Sequence, residues 1–371
     1  MVLTAEEVLD LVEDKGVEGA FKEVDVVTTG TFGAMCSSGA FMNFGHADPP
    51  IRMAEIYLNG VQAYGGLAAV DSYIGATQPS RDRPNEYGGA HVIEDLVAGK
   101  PVRLRACGPG SDCYPRREID THISLDSMNE AYLFNPRNSY QNYGAAVNSS
   151  DRTLYTYMGK LLPRKRNVTY SSAGQLSPLL NDPHCRSIGV GTRIFLGGGD
   201  GNVAWGGTQF NTSTPEKNGV PASGARNLAL IGDLRGMSTE YLRALSIHNY
   251  STSLAVGVGI PIPMLDLDMM KACSIRDEDI YAPLFDYSVG SSHRPVLAEI
   301  SYAEFRSGTV ELEGRQVRSS SLSSYKKARD VAQELKSWIE DREFTLSEPV
   351  RALPENSVPG PLKIATREEL E

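Results

Sequence analysis

Residues 24–33, VDVVTTGTFG, are dominated by β-branched side chains and end in glycine. The run reads as a buried β-strand entering a glycine-rich loop. Upstream, TAEEVLDLVEDK (4–15) has the spacing of an amphipathic helix, with Thr4 as N-cap and Glu7 completing a capping box. Downstream, AMCSSGAFMNFGHADPP holds mostly small residues and stops at a Pro-Pro pair. MAEIYLNGVQAYGG (53–66) is expected to form a helix interrupted by glycine. AHVIEDLVAGK (90–100) is expected to form a short helix closed by Gly99. VRLRAC (102–107) reads as a strand, and residues 187–210 as strand, glycine turn, strand. ARNLALIGDLRGMSTEYLRAL (225–245) predicts a strand, a loop and a helix capped at Ser238 or Thr239. SLAVGVGIPIPML (253–265) is apolar and β-like. SSYKKARDVAQELKSWIEDREF (323–344) is the clearest helix, about six turns by length. Strands interleaved with helices predict an α/β fold of mixed sheets whose glycine-rich loops gather the site. One catalytic domain over 1–344, or two intimately joined halves, is expected. Residues 345–371, with four prolines, read as an extended or partly disordered arm.

Bulk composition narrows the function. The 371 residues carry 36 basic and 46 acidic side chains, a net charge of −10, which repels nucleic acid. No apolar run is long enough to span a membrane, and the acidic start lacks the pattern of a signal peptide. A cytoplasmic protein is expected. Five cysteines are too few and odd in number for a disulfide framework, so the thiols are either buried or chemically employed.

Two segments concentrate the chemistry. LRACGPGSDCYPRREID (104–120) places Cys113 in a tight Gly-Pro-Gly loop with Arg116 and Arg117 close behind. The arginines suit an anionic substrate held through a guanidinium fork, and they favour the thiolate, whereas Asp112 opposes it. Cys107, at the end of an apolar strand, reads as a packing residue. In the second segment Cys36 is followed by Ser37, Ser38 and Gly39, a layout that presents backbone N–H groups to an oxyanion or carboxylate. His46 and Asp48 come next as candidates for proton transfer. The competing reading makes Met35 and Cys36 core. Cys185 and Cys273 read as packing residues. No dinucleotide or phosphate-loop fingerprint occurs. No metal site is predicted, since the cysteine spacing matches no zinc or cluster pattern.

The stretches TTGTFGAMCSSGAFMNFGHADPPIRM, DSYIGATQPS, EYGGAHVIEDLVAGK and GPGSDCYPRREI resemble the family of homocysteine biosynthesis proteins over nearly the whole chain. These are L-aspartate semialdehyde sulfurtransferases of methanogens and other anaerobes. The resemblance implies synthesis of homocysteine from aspartate semialdehyde and sulfide. By motif it implies Cys113 as a persulfide carrier and Cys36 as the second functional cysteine. It also implies electrons from [4Fe-4S] clusters of a small ferredoxin-like partner, because this chain carries no redox-cofactor motif. A homodimer is expected. The rival from another class is a non-catalytic iron–sulfur-cluster or ligand-binding subunit. On the sulfurtransferase reading, Cys113→Ala should abolish homocysteine formation. A comparable change at Cys185 or Cys273 should cost only packing, about 1 kcal/mol or somewhat more.

Overall fold

The structure, a computed structural model, describes residues 1–138, 141–291, 293–362, 364 and 365. The VDVVTTGTFG stretch forms two strands rather than one strand and a loop, Val26–Thr28 and Thr31–Ala34, with a corner between them. The corner is set by packing against the helix Tyr325–Glu340. A Cβ on Gly30 would lie 2.2 Å from the carbonyl oxygen of Ala328, so only glycine lets the two backbones approach this closely. Thr28 Oγ1 donates to the Ala332 carbonyl at 2.8 Å, and Thr29 Oγ1 to that of Ile260 at 2.6 Å.

Val26–Thr28 pairs with Val2–Thr4 and with Pro261–Pro263 in a small sheet. After the corner, Thr31–Ala34 joins a nine-stranded sheet by pairing antiparallel with Ser251–Gly259. That sheet runs Leu242–Ile247, Ser251–Gly259, Arg193–Leu196, Gly199–Gly206, Leu228–Asp233, Glu130–Asn138, Gly39–Asn43, Asp71–Gly75. A six-stranded sheet includes Tyr281–Asp286, Ala145–Val147 and Asn167–Tyr170. A four-stranded sheet is ordered Val61–Ala63, Glu55–Leu58, Val102–Cys107, Glu118–Ile123. The fold is mixed α/β, as the interleaved pattern predicts.

The capping box forms as read: Thr4 Oγ1 accepts from the Glu7 N–H, and Glu7 Oε2 accepts from the Thr4 N–H at 2.7 Å. Its helix extends to Phe21 and breaks geometry at Gly16, φ +70°. The expected helix over 53–66 is instead the hairpin Glu55–Leu58/Val61–Ala63. Asn59 (φ +48°) and Gly60 (φ +81°) occupy its two turn positions, the left-handed pair that a two-residue hairpin needs. The helix expected after Ser238 is a strand, Leu242–Ile247, fully paired with Ser251–Gly259. The last helix covers 16 residues, not six turns. It ends at Asp341, and the chain turns away at Arg342 with φ +64°.

The main core lies between the nine- and four-stranded sheets and the helices Ala5–Phe21 and Gly89–Val97. A second core, with Tyr302, Phe305 and Leu284, fills one face of the six-stranded sheet. Val331 and Leu335 of the last helix close on Phe195 and Phe344. Beyond it, Arg351–Ala352 pairs with Gly189–Val190, and Ser357 is tied to Phe210 and Thr212, its Oγ donating to the Phe210 carbonyl at 2.7 Å.

Because neither backbone at the Gly30 corner has room to give, Gly30→Ala should destabilise the protein by about 1–3 kcal/mol. Chemical denaturation would measure this, and Gly290→Ala, where an added Cβ meets open space and the backbone lies outside the left-handed region, controls for loss of chain flexibility.

Candidate active site

Cys36 sits in the tight turn Met35–Ser38, which joins Thr31–Ala34 to Gly39–Asn43. The Met35 N–H donates to the Leu254 carbonyl at 2.8 Å and the Ser38 N–H to the Met35 carbonyl at 3.0 Å, so both ends of the turn are fixed. Ser253 Oγ donates to the Cys36 sulfur at 3.4 Å. The half-buried thiol lines a cavity of about 800 Å³ where the nine- and six-stranded sheets meet. Burial pushes its pKa up. The Ser253 hydrogen bond and the positive charge of Arg137 oppose that shift without cancelling it.

Charge distinguishes this cavity from the rest of the molecule. Its described lining contains Arg137, His293 and Arg294 and no aspartate or glutamate, in a chain with 46 acidic residues. The Arg294 guanidinium lies over the Tyr287 ring, 4.2 Å from its centroid, and its buried Nε has no hydrogen-bond partner among the described residues. Tyr143, Tyr157 and Tyr287 form a hydroxyl chain along one wall, at 3.2 and 2.9 Å. Burial raises the pKa of Tyr287. Pro359–Pro361 of the C-terminal segment also reach the cavity.

The residues singled out around Cys36 divide. Ser37 lines the cavity and donates to the Arg137 carbonyl at 3.1 Å. Ser38 is buried and accepts from Asn135 Nδ2 at 2.7 Å. Gly39 is packed under Tyr73, whose hydroxyl would lie 2.1 Å from an added Cβ. Ser38 and Gly39 thus shape the turn and are absent from the cavity lining.

Cys113 is exposed in a loop of the four-stranded sheet and is absent from that lining. The loop is anchored firmly. The Gly108 N–H donates to the Arg117 carbonyl at 2.9 Å, and Ser111 and Tyr114 exchange backbone hydrogen bonds. Arg116 donates to the carbonyls of Pro49 (2.9 Å) and Asp48 (2.7 Å), stapling the loop to the segment 46–50. His46 stacks on Tyr114 at 6.2 Å between ring centroids. Arg117 packs against Gly110. His46, Asp48, Arg116 and Arg117 therefore accompany Cys113. Cys107 is half-buried on the outward face of its strand with Arg103 and Arg105, level with Glu55 and Glu118.

The two thiol segments lie at opposite ends of the strand Gly39–Asn43. Cys36 precedes the strand Gly39–Asn43, whereas His46 lies beyond its far end. The four steps of that strand cover about 14 Å at roughly 3.4 Å each. Neighbouring pairings agree: Ser38 bonds to Ala76 at one end of the strand pair, and Phe44 to Val70 at the other. Cys185 and Cys273 are buried in the main core, as expected, and burial pushes both thiols far up. Among the described residues no three His, Cys, Asp or Glu side chains converge as a metal site.

A sequence profile of the family described as "Homocysteine biosynthesis enzyme, sulfur-incorporation" matches residues 1–346. The chain belongs to this family. It is 54% identical over 352 residues to the L-aspartate semialdehyde sulfurtransferase of Methanosarcina acetivorans, covering 95% of this chain and 69% of that one. It is 52% identical over 369 residues to the protein of the same name from Methanocaldococcus jannaschii, covering 95% and 70%. No solved structure matches significantly. As a member, the chain is a sulfur-incorporating enzyme of homocysteine biosynthesis. Arg137, Ser253, Tyr157, Tyr287 and Arg294 escaped the sequence reading because they lie roughly 100 to 260 positions from Cys36, with no motif to mark them.

Iodoacetamide should alkylate exposed Cys113 well before Cys36. The raised pKa leaves less Cys36 thiolate at neutral pH than an ordinary thiol has, so its alkylation rate should keep climbing above about pH 9. Ser253→Ala removes a hydrogen bond to the thiolate and should slow Cys36 alkylation several-fold near pH 8, read by peptide mass spectrometry.

Proposed function

We propose that the chain makes L-homocysteine from L-aspartate 4-semialdehyde and sulfide. The carrying observation is the arginine-bearing cavity around Cys36, whose described lining holds no carboxylate, in a member of this family. The balance is one aldehyde, one hydrogen sulfide, two electrons and two protons giving one thiol and one water. Sulfur attack on the aldehyde carbon opens the C=O bond and places the electron pair on oxygen. Protonation and loss of water leave a thiocarbonyl, which two electrons and two protons reduce to the thiol. The electrons come from [4Fe-4S] clusters of a ferredoxin-like partner, and the cytoplasm, where free thiols stay reduced, suits this chemistry.

Each stage has a candidate group. Arg294, whose buried Nε lacks a partner among the described residues, and Arg137 suit the substrate carboxylate, since a guanidinium fork matches its two oxygens. They replace Arg116, whose Nε and Nη2 already donate to two backbone carbonyls. Ser37 and the tyrosine hydroxyls are donors for the developing oxyanion. With no carboxylate in the described lining, the Tyr143–Tyr157–Tyr287 chain is the route for the proton that releases water. Cys113, exposed in its rigid loop, carries the incoming sulfur as a persulfide, formed when hydrosulfide attacks Cys113 Sγ of a Cys36–Cys113 disulfide and Cys36 leaves as thiolate, so that the disulfide is the oxidant.

Arg294→Lys keeps the charge and loses the fork. It should raise KM for the semialdehyde at least ten-fold with kcat less affected, the signature of binding shared by ground and transition states. An unchanged KM in that variant, with a raised KM in Arg116→Lys or Arg117→Lys, would move the carboxylate to the Cys113 loop. After treatment with sulfide and a mild two-electron oxidant, mass spectrometry should find the 32 Da sulfur adduct on Cys113.

A further inference from the structure

The geometry points to an active site shared between two copies of this chain, in which the Cys113 loop of one copy enters the Cys36 cavity of the other. The inference rests on the two-thiol reading above. Within one chain the thiols stand at opposite ends of the strand Gly39–Asn43, about 14 Å of backbone. A disulfide between them needs Cα atoms within about 7 Å. The loop is no swinging arm. To cross that distance it would have to break the Arg116 bonds to Asp48 and Pro49, the His46–Tyr114 stack and the Gly108–Arg117 bond. A rigid loop with an exposed reactive tip reaches a distant cavity only by docking as a body.

A second copy fits the cavity by charge. The loop tip presents the exposed carboxylate of Asp112 beside Cys113, while Arg116 is turned back onto Asp48 and Pro49 and Arg117 onto Gly110. The described lining of the cavity offers Arg137, His293 and Arg294 with no acid of its own. Both ends also expose apolar side chains. Tyr64 and Leu67 lie in the segment 64–70, whose Ala69 and Val70 bond to Met53 and Phe44 at the loop end, and Tyr250 lines the cavity. In a two-fold dimer each copy gives its loop and receives its partner's, so two equivalent sites form.

The contact has balanced chemistry. The outer sulfur of the Cys113 persulfide bonds to the aldehyde carbon, and the carbonyl electron pair moves to oxygen. The Cys36 thiolate of the receiving copy then attacks Cys113 Sγ. The inner S–S bond breaks, a Cys36–Cys113 disulfide forms between copies, and the substrate leaves with its new sulfur as a thiolate. Hydrosulfide attacking Cys113 Sγ of that disulfide regenerates the persulfide and frees Cys36 as thiolate. Sulfur transfer is thus redox-neutral, and the two reducing electrons enter only afterwards.

The test mixes full-length Cys36→Ala and Cys113→Ala chains by co-expression. Each variant alone should be inactive while keeping wild-type circular dichroism. The mixture should recover about a quarter of wild-type activity, because half the dimers are mixed and each holds one intact shared site. A mixture as dead as its components would overturn the shared site while leaving the two-thiol reading in place. Activity in either single variant would instead end the two-thiol reading itself. Independently, mild oxidation of wild type should give a covalent dimer on a non-reducing denaturing gel, lost in both single variants. An intramolecular Cys36–Cys113 disulfide in monomeric bands would refute the proposal.

Discussion

The corner at Thr28–Gly30 and its contact with the helix Tyr325–Glu340 govern the course of the chain beyond them. One glycine without room for a Cβ and one threonine hydroxyl on a helix carbonyl join residues some three hundred positions apart. That contact sets the direction in which Thr31–Ala34 enters the nine-stranded sheet, and so where the turn carrying Cys36 emerges. The same helix closes the sheet with Val331 and Leu335, so core and site depend on one interface.

Charge segregation gives the cavity its character. An acidic chain could easily surround a thiol with carboxylates, which would hold it protonated and repel an anionic substrate. Here the described lining carries arginines, a histidine, serines and tyrosines instead. Burial keeps the Cys36 thiol neutral at rest, and Arg137 and Ser253 stand ready to stabilise the thiolate. The Cys113 segment is built on the opposite principle. It is exposed, and it is held by backbone hydrogen bonds and a stapling arginine. One thiol is half-buried in a cavity and the other stands exposed on a fixed loop.

Where the local pattern misled, tertiary pairing decided. Residues 53–66 contain apolar positions compatible with either period, and the Asn59-Gly60 pair is a stronger hairpin signal than the helical spacing around it. After Ser238 the chain has a helix-cap signature, yet Leu242–Ile247 finds a complete ladder of partners on Ser251–Gly259. Six consecutive backbone pairings outweigh a weak helical preference.

The sequence by itself determined the elements whose causes are local: the Thr4 capping box, the last helix with its Ser324 cap, the glycine hairpin after Leu196, and the turns that carry Cys36 and Cys113. It also marked Cys185 and Cys273 as core and set Cys36 and Cys113 in turns, because glycine, proline and charge neighbours act over a few residues. Tertiary structure alone decided the company each thiol keeps. Arg294, Tyr157 and Ser253 reach the Cys36 cavity through sheet pairings across the chain. Arg116 was diverted to the carbonyls of Asp48 and Pro49. The separation of Cys36 from Cys113 is likewise a property of the strand between them, since two loops rich in the same residues can lie at either end of a sheet. Spacing in sequence carries no record of which end.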